Sequence, residues 1–331
     1  MSKRILIVTH SGDLHADLVE QRIAEASAPA FRLNLDTFPR DYDIELTFSE
    51  GRWRGQLRAD GQEALSVDEV GSVWLRKRGD FAFAGESLGT QEHRYAVGEV
   101  EHILMGLLHG LDCFWMSHPR ALRAAGWKGE QMLRAASMGF RVPPSLVTNR
   151  PASVRQFHQS QRGGIVFKSM SSPLLAAERV SHGDRVVDGI PTTPVREDDL
   201  DLAGAVVVMP SFFQQHVRKT HELRVTVIGN EVFAAKIHSQ DDPRTAVDVR
   251  NYAAEIRYEA ADLPSDLLER CRAFVHSYDL TYGAIDIIVD QNGDYVFLEN
   301  NPGGQYLYVE QLVPQLRMTE AVATCLLRGA R

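Results

Sequence analysis

Residues Tyr282 to Tyr306 read YGAIDIIVDQNGDYVFLENNPGGQY, and the way this stretch pairs with itself decides the fold. Two runs rich in β-branched and aromatic residues, Ala284–Val289 and Asp294–Leu298, flank Asn292-Gly293, the strongest short signal for a two-residue hairpin turn. With Asn292 and Gly293 as the loop, Gln291 faces Asp294, and counting outward sets Asp286 opposite Glu299. Asn301, two residues on, shares their face. Facing carboxylates repel, each exposed like-charge contact costing up to about 1 kcal/mol, so a positive charge belongs between them. A hard divalent cation suits the set, because Asp, Glu and the Asn amide oxygen are what Mg2+ accepts while it keeps waters and phosphate oxygens elsewhere. The plain alternative is a solvated hairpin whose acids pair by chance. Asn300-Asn301-Pro302-Gly303-Gly304-Gln305 weighs against it, since a polar, permissive segment directly after a buried-looking strand opens the ladder into a loop where the acids stand.

A chain of 331 residues suggests two or three packed units. A hydrophobic fraction of 44% with 24% charged residues is that of a globular enzyme, and a net charge of -8 argues against a nucleic-acid binder. Cys113, Cys271 and Cys325 are far apart and lack C-x-x-C spacing, so they read as reduced thiols of a cytoplasmic protein. No segment has the roughly 18 uninterrupted apolar residues of a membrane span, and MSKRILIVTH turns polar too soon for a signal peptide.

Ile5-Leu6-Ile7-Val8 reads as a buried parallel strand, followed by a loop at Thr9–Asp13, a helix over about 14–26 and a second strand over Phe31–Leu35. This is a Rossmann-like opening without the glycine fingerprint. Gly12 alone offers no nest for a pyrophosphate, so the unit is read as a scaffold for a substrate cleft. Ile44–Phe48 and Trp53–Leu57 form a hairpin about Glu50-Gly51. A strand over Ser72–Leu75 ends in Arg76-Lys77-Arg78, either a solvated strand end or an anion-facing one. Helical spacing from Gln91 to Leu111, through Tyr95, Val97, Val100, Ile103, Leu104, Leu107, Leu108 and Leu111, closes the first domain, and Ser117-His118-Pro119 marks its boundary. Lys128 then heads a helix that ends at Gly139. Ile165–Lys168 is an apolar strand delivering an ammonium to the polar Ser169–Pro173, an arrangement suited to gripping and releasing phosphates. The run 206–217 carries apolar walls and backbone groups fit for a flat, edge-polar base. Glu222–Ile237 forms a hairpin turning at Gly229-Asn230, whose register sets Arg224 opposite Ala235 and Lys236 on the other face.

The spacing D-x12-E-x-N-P at Asp286, Glu299 and Asn301 resembles the metal-binding end of the ATP-grasp superfamily, and ENNPGGQ is similar to the E-x-N-P-x-G-Q variant of its microviridin-type (graspetide) peptide-ligase branch. Four further blocks carry the likeness: K-x2-Q at Lys128, the strand-end Lys168, the run through Gln214-Gln215 and Val217, and the (D/E)-x-R-x5-G-x6-(R/K) block from Glu222 through Arg224 to Lys236. V-W-L-R-K-R and Asp248-Val249-Arg250 resemble segments of the same branch. The resemblance implies an α/β ATP-grasp fold with a pre-ATP-grasp domain (1–117), a central domain (118–205) and a C-terminal domain with the metal site (206–331).

It also implies Lys128 and Lys168 as phosphate ligands, with Gln214, Gln215, Val217 and Glu222 around the nucleotide. A lid over about 169–184 would have Arg179 and Arg185 as contributors. Asp286, Glu299 and Asn301 would hold Mg2+ or Mn2+, and Arg224, Lys236 and Arg250 would serve the reaction. The expected chemistry is transfer of the γ-phosphoryl of ATP to a carboxylate, then attack by an amine or hydroxyl on the acyl phosphate. Three readings stay open: a ligase that cross-links side chains of a precursor peptide recruited by its leader, a ligase joining a small carboxylate to an amine as glutathione-synthetase-like and glutamate-adding members do, and a non-catalytic nucleotide-binding protein. No nucleic-acid or membrane partner is expected, and a homodimer is left open.

Overall fold

The four apolar residues Ile5–Val8 sit in the middle of β1 (Arg4–Thr9), which is buried along its whole length in the computed structural model. The structure describes residues 3–77, 79–85, 88–171, 190–249 and 254–330. Asp13 caps α1 (Leu14–Glu25) by accepting from the backbone N–H of His15, and β2 (Ala30–Asn34) follows. The hairpin of β3 (Tyr42–Ser49) and β4 (Arg52–Ala59) pairs Ser49 with Arg52. Glu50 and Gly51 are therefore its loop, and both have positive φ, 53° and 78°, as a type I′ turn requires. After β5 (Leu65–Ser66) come β6 (Val70–Leu75), α2 (Thr90–His109) and β7 (Phe114–Trp115). The first sheet is parallel in the order β2-β1-β6-β7.

The periodicity of α2 names a face but not the extent of what lies beneath it. Leu104, Leu107 and Leu108 are buried, whereas Tyr95 and Ile103 of the same expected stripe are exposed.

A second, small sheet is antiparallel. It is built from β8 (Ser145–Thr148), β9 (Ile165–Lys168), β10 (Thr193–Val195) and β11 (Ser211–Gln215) in the order β10-β9-β11-β8, with α5 (Pro151–Ser160) packed on it. Its core is Val154, Ile165, Leu200 and Phe213 with their neighbours. The boundary expected at residue 205 falls inside this unit. The apolar run that suggests it belongs to the end of a 3-10 segment, Asp198–Val208, which feeds β11 into the small sheet, so the chain crosses to the third sheet only between Gln215 and Lys219.

That third sheet is antiparallel in the order β14-β13-β12-β15-β16 and comprises β12 (Lys219–Ile228), β13 (Glu231–Ile237), β14 (Tyr258–Ala260), β15 (Tyr282–Asp290) and β16 (Tyr295–Asn301). One face carries α6 (Ser265–His276), through Leu267, Phe274 and Val275 against Leu223, Val225, Ile287 and Phe297. The same core holds Ala121 of α3 (Pro119–Ala124) and Ala135 of α4 (Lys128–Ser137). These two helices, expected in the central domain, thus pack on the third sheet.

After α7 (Leu307–Leu312), α8 (Met318–Gly329) returns to the first domain. Its Val322 and Leu326 join Ile5, Ile7, Val19 and Ile23 of β1 and α1 in one core with Tyr282 and Ala284 of β15. Each such fully buried aliphatic side chain contributes about 1.5–3 kcal/mol, so the first and third sheets are fastened together by apolar packing. No helix among the described residues is long and apolar enough to cross a membrane.

Candidate active site

The hairpin β15-β16 does set Asp286 opposite Glu299, though not through the expected turn. The backbone N–H of Asp290 donates to Asp294 O at 3.0 Å, which leaves a loop of three residues, Gln291, Asn292 and Gly293, with Gly293 at φ +84°. Asp290 explains this. Its Oδ1 accepts from the backbone N–H groups of Asn292 and Asp294, and its Oδ2 takes a 2.6 Å bond from Arg141, which fixes an Asx-type turn one residue longer than Asn-Gly alone makes. The register is then one residue off as far as Ile287, which faces Phe297, and a bulge at Leu298 restores it, so Asp286 meets Glu299. Asn301 pairs with Ala284 and lies on the Asp286 face, its Nδ2 donating to Asp286 Oδ2 at 3.1 Å.

Each carboxylate has acquired a cation. Arg224, opposite Asp286 on β12, donates to its Oδ1 at 2.7 Å, and Lys128 Nζ lies 2.8 Å from Glu299 Oε2. The second contact follows from local structure. Gln131, one turn beyond Lys128 on α4, is buried and grips the backbone of Asn300 twice, accepting from its N–H at 2.8 Å and donating to its carbonyl at 2.8 Å. That clamp docks the helix on β16 and brings Lys128 to Glu299. Lys168, at the end of β9, gives a 2.9 Å bond to Gln214 Oε1. Burial pushes its ammonium pKa down, and Lys128 beside it adds to the effect while Glu299 opposes it.

The two acids are tuned apart. Burial and the Glu299 charge push the Asp286 carboxyl up more than Arg224 lowers it. Burial also acts on Glu299, but Lys128 and Lys168 outweigh it and hold its pKa down. Arg224 has its own burial set against Asp286, and the carboxylate prevails, keeping the guanidinium protonated. Among the described residues no three His, Cys, Asp or Glu side chains converge on a metal position. Two carboxylates and an amide are a hard oxygen set too small to satisfy a cation alone, which fits Mg2+, an ion that keeps several positions for water and substrate phosphate.

The segment after Asn301 is held by its carbonyls. Arg76 Nη1 donates to Gly303 O at 3.2 Å, Tyr282 Oη to Gly304 O at 2.9 Å and Arg224 Nη2 to Gln305 O at 3.2 Å. Gly304 has no room for a side chain, since a Cβ there would stand 2.9 Å from Arg224 Nη2 and 3.1 Å from the Cβ atoms of Ala284 and Asn301.

The structure therefore gathers Lys128, Lys168, Gln214, Arg224, Asp286, Glu299 and Asn301. Glu222 shares the Arg224 face and is buried against Lys219 Nζ at 2.6 Å. Gln215 and Val217 follow on the same crossing segment, half-buried. The Gln214 side chain is committed to Lys168 and, through Nε2, to Ser145 Oγ at 3.1 Å, which ties it to the lysine end of the cleft. Lys236 is not brought in. It faces Leu223 and pairs with Glu259 at 3.3 Å, on the opposite face from Arg224, because consecutive strand residues alternate in side. Arg250, Arg78, and the lid residues from 172 on, with Arg179 and Arg185, lie outside the described residues, whereas Asp248 accepts from the N–H of Thr192 at 2.8 Å. Sequence reasoning missed Gln131, Tyr282 and Asp290. The fixed K-x2-Q spacing was the one signal for Gln131.

Residues 4–123 match the family described as the MvdD pre-ATP grasp domain. Over the whole chain the fold is similar to a RiPP-associated ATP-grasp ligase of Chryseobacterium gregarium, solved with ADP and a leader and core peptide, at 28% identity over 98% of this chain and 97% of that one, with a TM-score of 0.88. The macrocyclase MdnC of Microcystis aeruginosa MRC, solved bound with the precursor peptide MdnA, is 29% identical over 98% and 99% of the two chains, with a TM-score of 0.84. The macrocyclase MdnB of the same organism is 29% identical over 99% and 100%, with a TM-score of 0.77. No curated protein matches the chain by sequence.

Proposed function

We infer that this chain, an ATP-grasp protein with a pre-ATP-grasp domain of the MvdD kind, is an ADP-forming ligase that cross-links side chains of a ribosomal precursor peptide through ester or amide bonds, in the cytoplasm. The observation that carries the reading is the convergence of Lys128, Lys168 and Arg224 on the Asp286–Glu299 pair, in a chain alike over nearly its full length to two ligases solved with their peptides. Lys128 and Lys168, from opposite walls, bind the phosphates of ATP, and the segment 214–217 with Glu222 receives the nucleoside end. Asp286, Glu299 and Asn301 would hold Mg2+, which offsets charge on the terminal phosphates. Arg224, fixed by Asp286 and Gln305, presents a rigid guanidinium to the oxyanion of an acyl phosphate under attack by a hydroxyl or amine. Lys168, freed from Gln214 on binding, is the cation whose position depends on the nucleotide.

Incubation with ATP, Mg2+ and a precursor peptide should release ADP and phosphate and lower the peptide mass by one water per bond formed. AMP and pyrophosphate as products would indicate adenylation and overturn the mechanism. ADP release driven by free amino acids, with no effect of the peptide, would favour a small-substrate ligase.

Lys168→Ala should raise KM for ATP about tenfold or more, the scale of one charge-assisted hydrogen bond lost. Its melting temperature should stay near that of the unmodified protein, because burial and Lys128 already oppose the Lys168 charge, and losing that charge offsets the Gln214 Oε1 acceptor left without its donor. A large drop in melting temperature without nucleotide would make Lys168 a structural residue.

A further inference from the structure

His15 stands in the first turn of α1 and is buried. Its Nε2 lies 3.3 Å from the backbone nitrogen of Leu307, the first residue of α7, and accepts that N–H across 292 positions of the chain. Leu307 is buried as well, so a donor that the opening turn of a helix leaves without a backbone partner depends on the ring. On the other side Nδ1 stands 3.5 Å from Asp13 Oδ1, and the Tyr306 ring meets the imidazole edge-on at 4.9 Å. These partners assign the tautomer. A neutral ring that accepts at Nε2 carries its proton on Nδ1, toward the carboxylate. The contact also continues a series, because the carbonyls of Gly303, Gly304 and Gln305 are held by Arg76, Tyr282 and Arg224, and Leu307 is then fixed from the first domain.

We propose that His15 is a positioning residue for the ligase reaction: as a neutral acceptor it pins the start of α7 and so holds the Gln305 carbonyl where Arg224 requires it; the proposal rests on reading the protein as a carboxylate ligase. Arg224 is anchored by Asp286 and by Gln305, and its Nε is buried without an acceptor, so the aim of its guanidinium depends on both anchors. Burial holds the His15 pKa below the ordinary histidine value; Asp13 opposes this, while Arg76 and Lys77, just past β6, add to it. Asp13 stays ionised, because burial would raise its carboxyl but its bonds with His15 and Thr9 and the Arg76 charge keep it well below the carboxylate range. On the α7 side burial pushes the Tyr306 phenol up, so it stays neutral. Above the midpoint of the ring the Leu307 contact is complete. As the pH falls through that midpoint Nε2 takes a proton, a donor then faces a donor, and the contact is lost.

Long-range 15N–1H NMR of the histidine rings in the full chain, with His15 assigned by its absence from His15→Gln, should show the Nδ1–H tautomer at neutral pH and a midpoint below 6.5. Peptide-dependent ADP release is then followed against pH in the unmodified chain, in His15→Gln, whose amide oxygen accepts at any pH, and in His15→Leu, which has no acceptor. Dividing the unmodified rate by the His15→Gln rate cancels any acid decline due to Asp286. That ratio should be flat above the midpoint of the ring and fall about tenfold below it, the scale of one buried backbone donor left unpaired. His15→Leu should lose about tenfold at neutral pH relative to His15→Gln, with the loss independent of pH. A ratio that does not change with pH, or an Nε2–H tautomer, overturns the proposal. So do variants that melt lower yet turn over at the unmodified rate well below their melting temperature, since His15 would then only stabilise the fold. Failure of the ligase reading would look different: the tautomer and midpoint would stand while no precursor peptide elicited ADP.

Discussion

Glu299→Gln is expected to lower the rate of peptide-dependent ADP release by at least about a hundredfold, the scale on which removal of one electrostatic group from a transition state is felt. Glu299 is the acid whose pKa Lys128 and Lys168 hold down, so it stays ionised through the neutral range and is ready to meet a cation. Glutamine keeps the shape and loses the charge. Removing one of two facing carboxylates relieves the repulsion felt by Asp286 but leaves Lys128 and Lys168 without the carboxylate whose attraction to them outweighs its own burial, so stability should fall modestly at neutral pH. A coupled assay for ADP with a thermal melt beside it checks both. Turnover within tenfold of the unmodified enzyme would remove Glu299 from the metal-binding set.

Arg224→Met is expected to abolish measurable turnover and also to destabilise the protein by about 3 kcal/mol, the low end of the range for breaking a buried ion pair from one side. The low end applies because Asp286 keeps 26% of its side-chain surface exposed and retains Asn301 Nδ2 as a donor. The methionine fills most of the arginine stem, so the loss reads the stranded carboxylate and the freed Gln305 carbonyl rather than a cavity. Adding Asp286→Asn should recover most of the stability and none of the activity. Urea denaturation of the two variants beside the unmodified protein separates the two roles. If the single variant is as stable as the unmodified protein, the Arg224–Asp286 pair is not the buried contact described.

Much of the site was legible because strand registry is arithmetic. Asp286 opposite Glu299, Arg224 opposite Ala235 and Lys236 on the far face all follow from counting along ladders. The first of these held for a reason the count could not contain, since the longer turn made by Asp290 and the bulge at Leu298 compensate each other. Gly229-Asn230 and Glu50-Gly51 did form two-residue turns. What stayed hidden was partnership over long separations. Helical spacing marks α8 and α4 as amphipathic, but nothing in either segment says that α8 covers β1 and α1, or that α4 docks on β16 through Gln131. A buried glutamine in a motif looks like any polar helix residue until the backbone it grips is known.

The return of α8 to the first domain has a consequence for how the molecule is made. Ile5, Ile7, Val19 and Ile23 find part of their cover in Val322 and Leu326, and Gly71 is packed so closely that a Cβ there would lie 3.0 Å from the carbonyl oxygen of Ala330. During synthesis the first strand and helix emerge long before the residues that complete their core. That apolar face must wait, exposed to the machinery that guards nascent chains, until almost the whole polypeptide has been released.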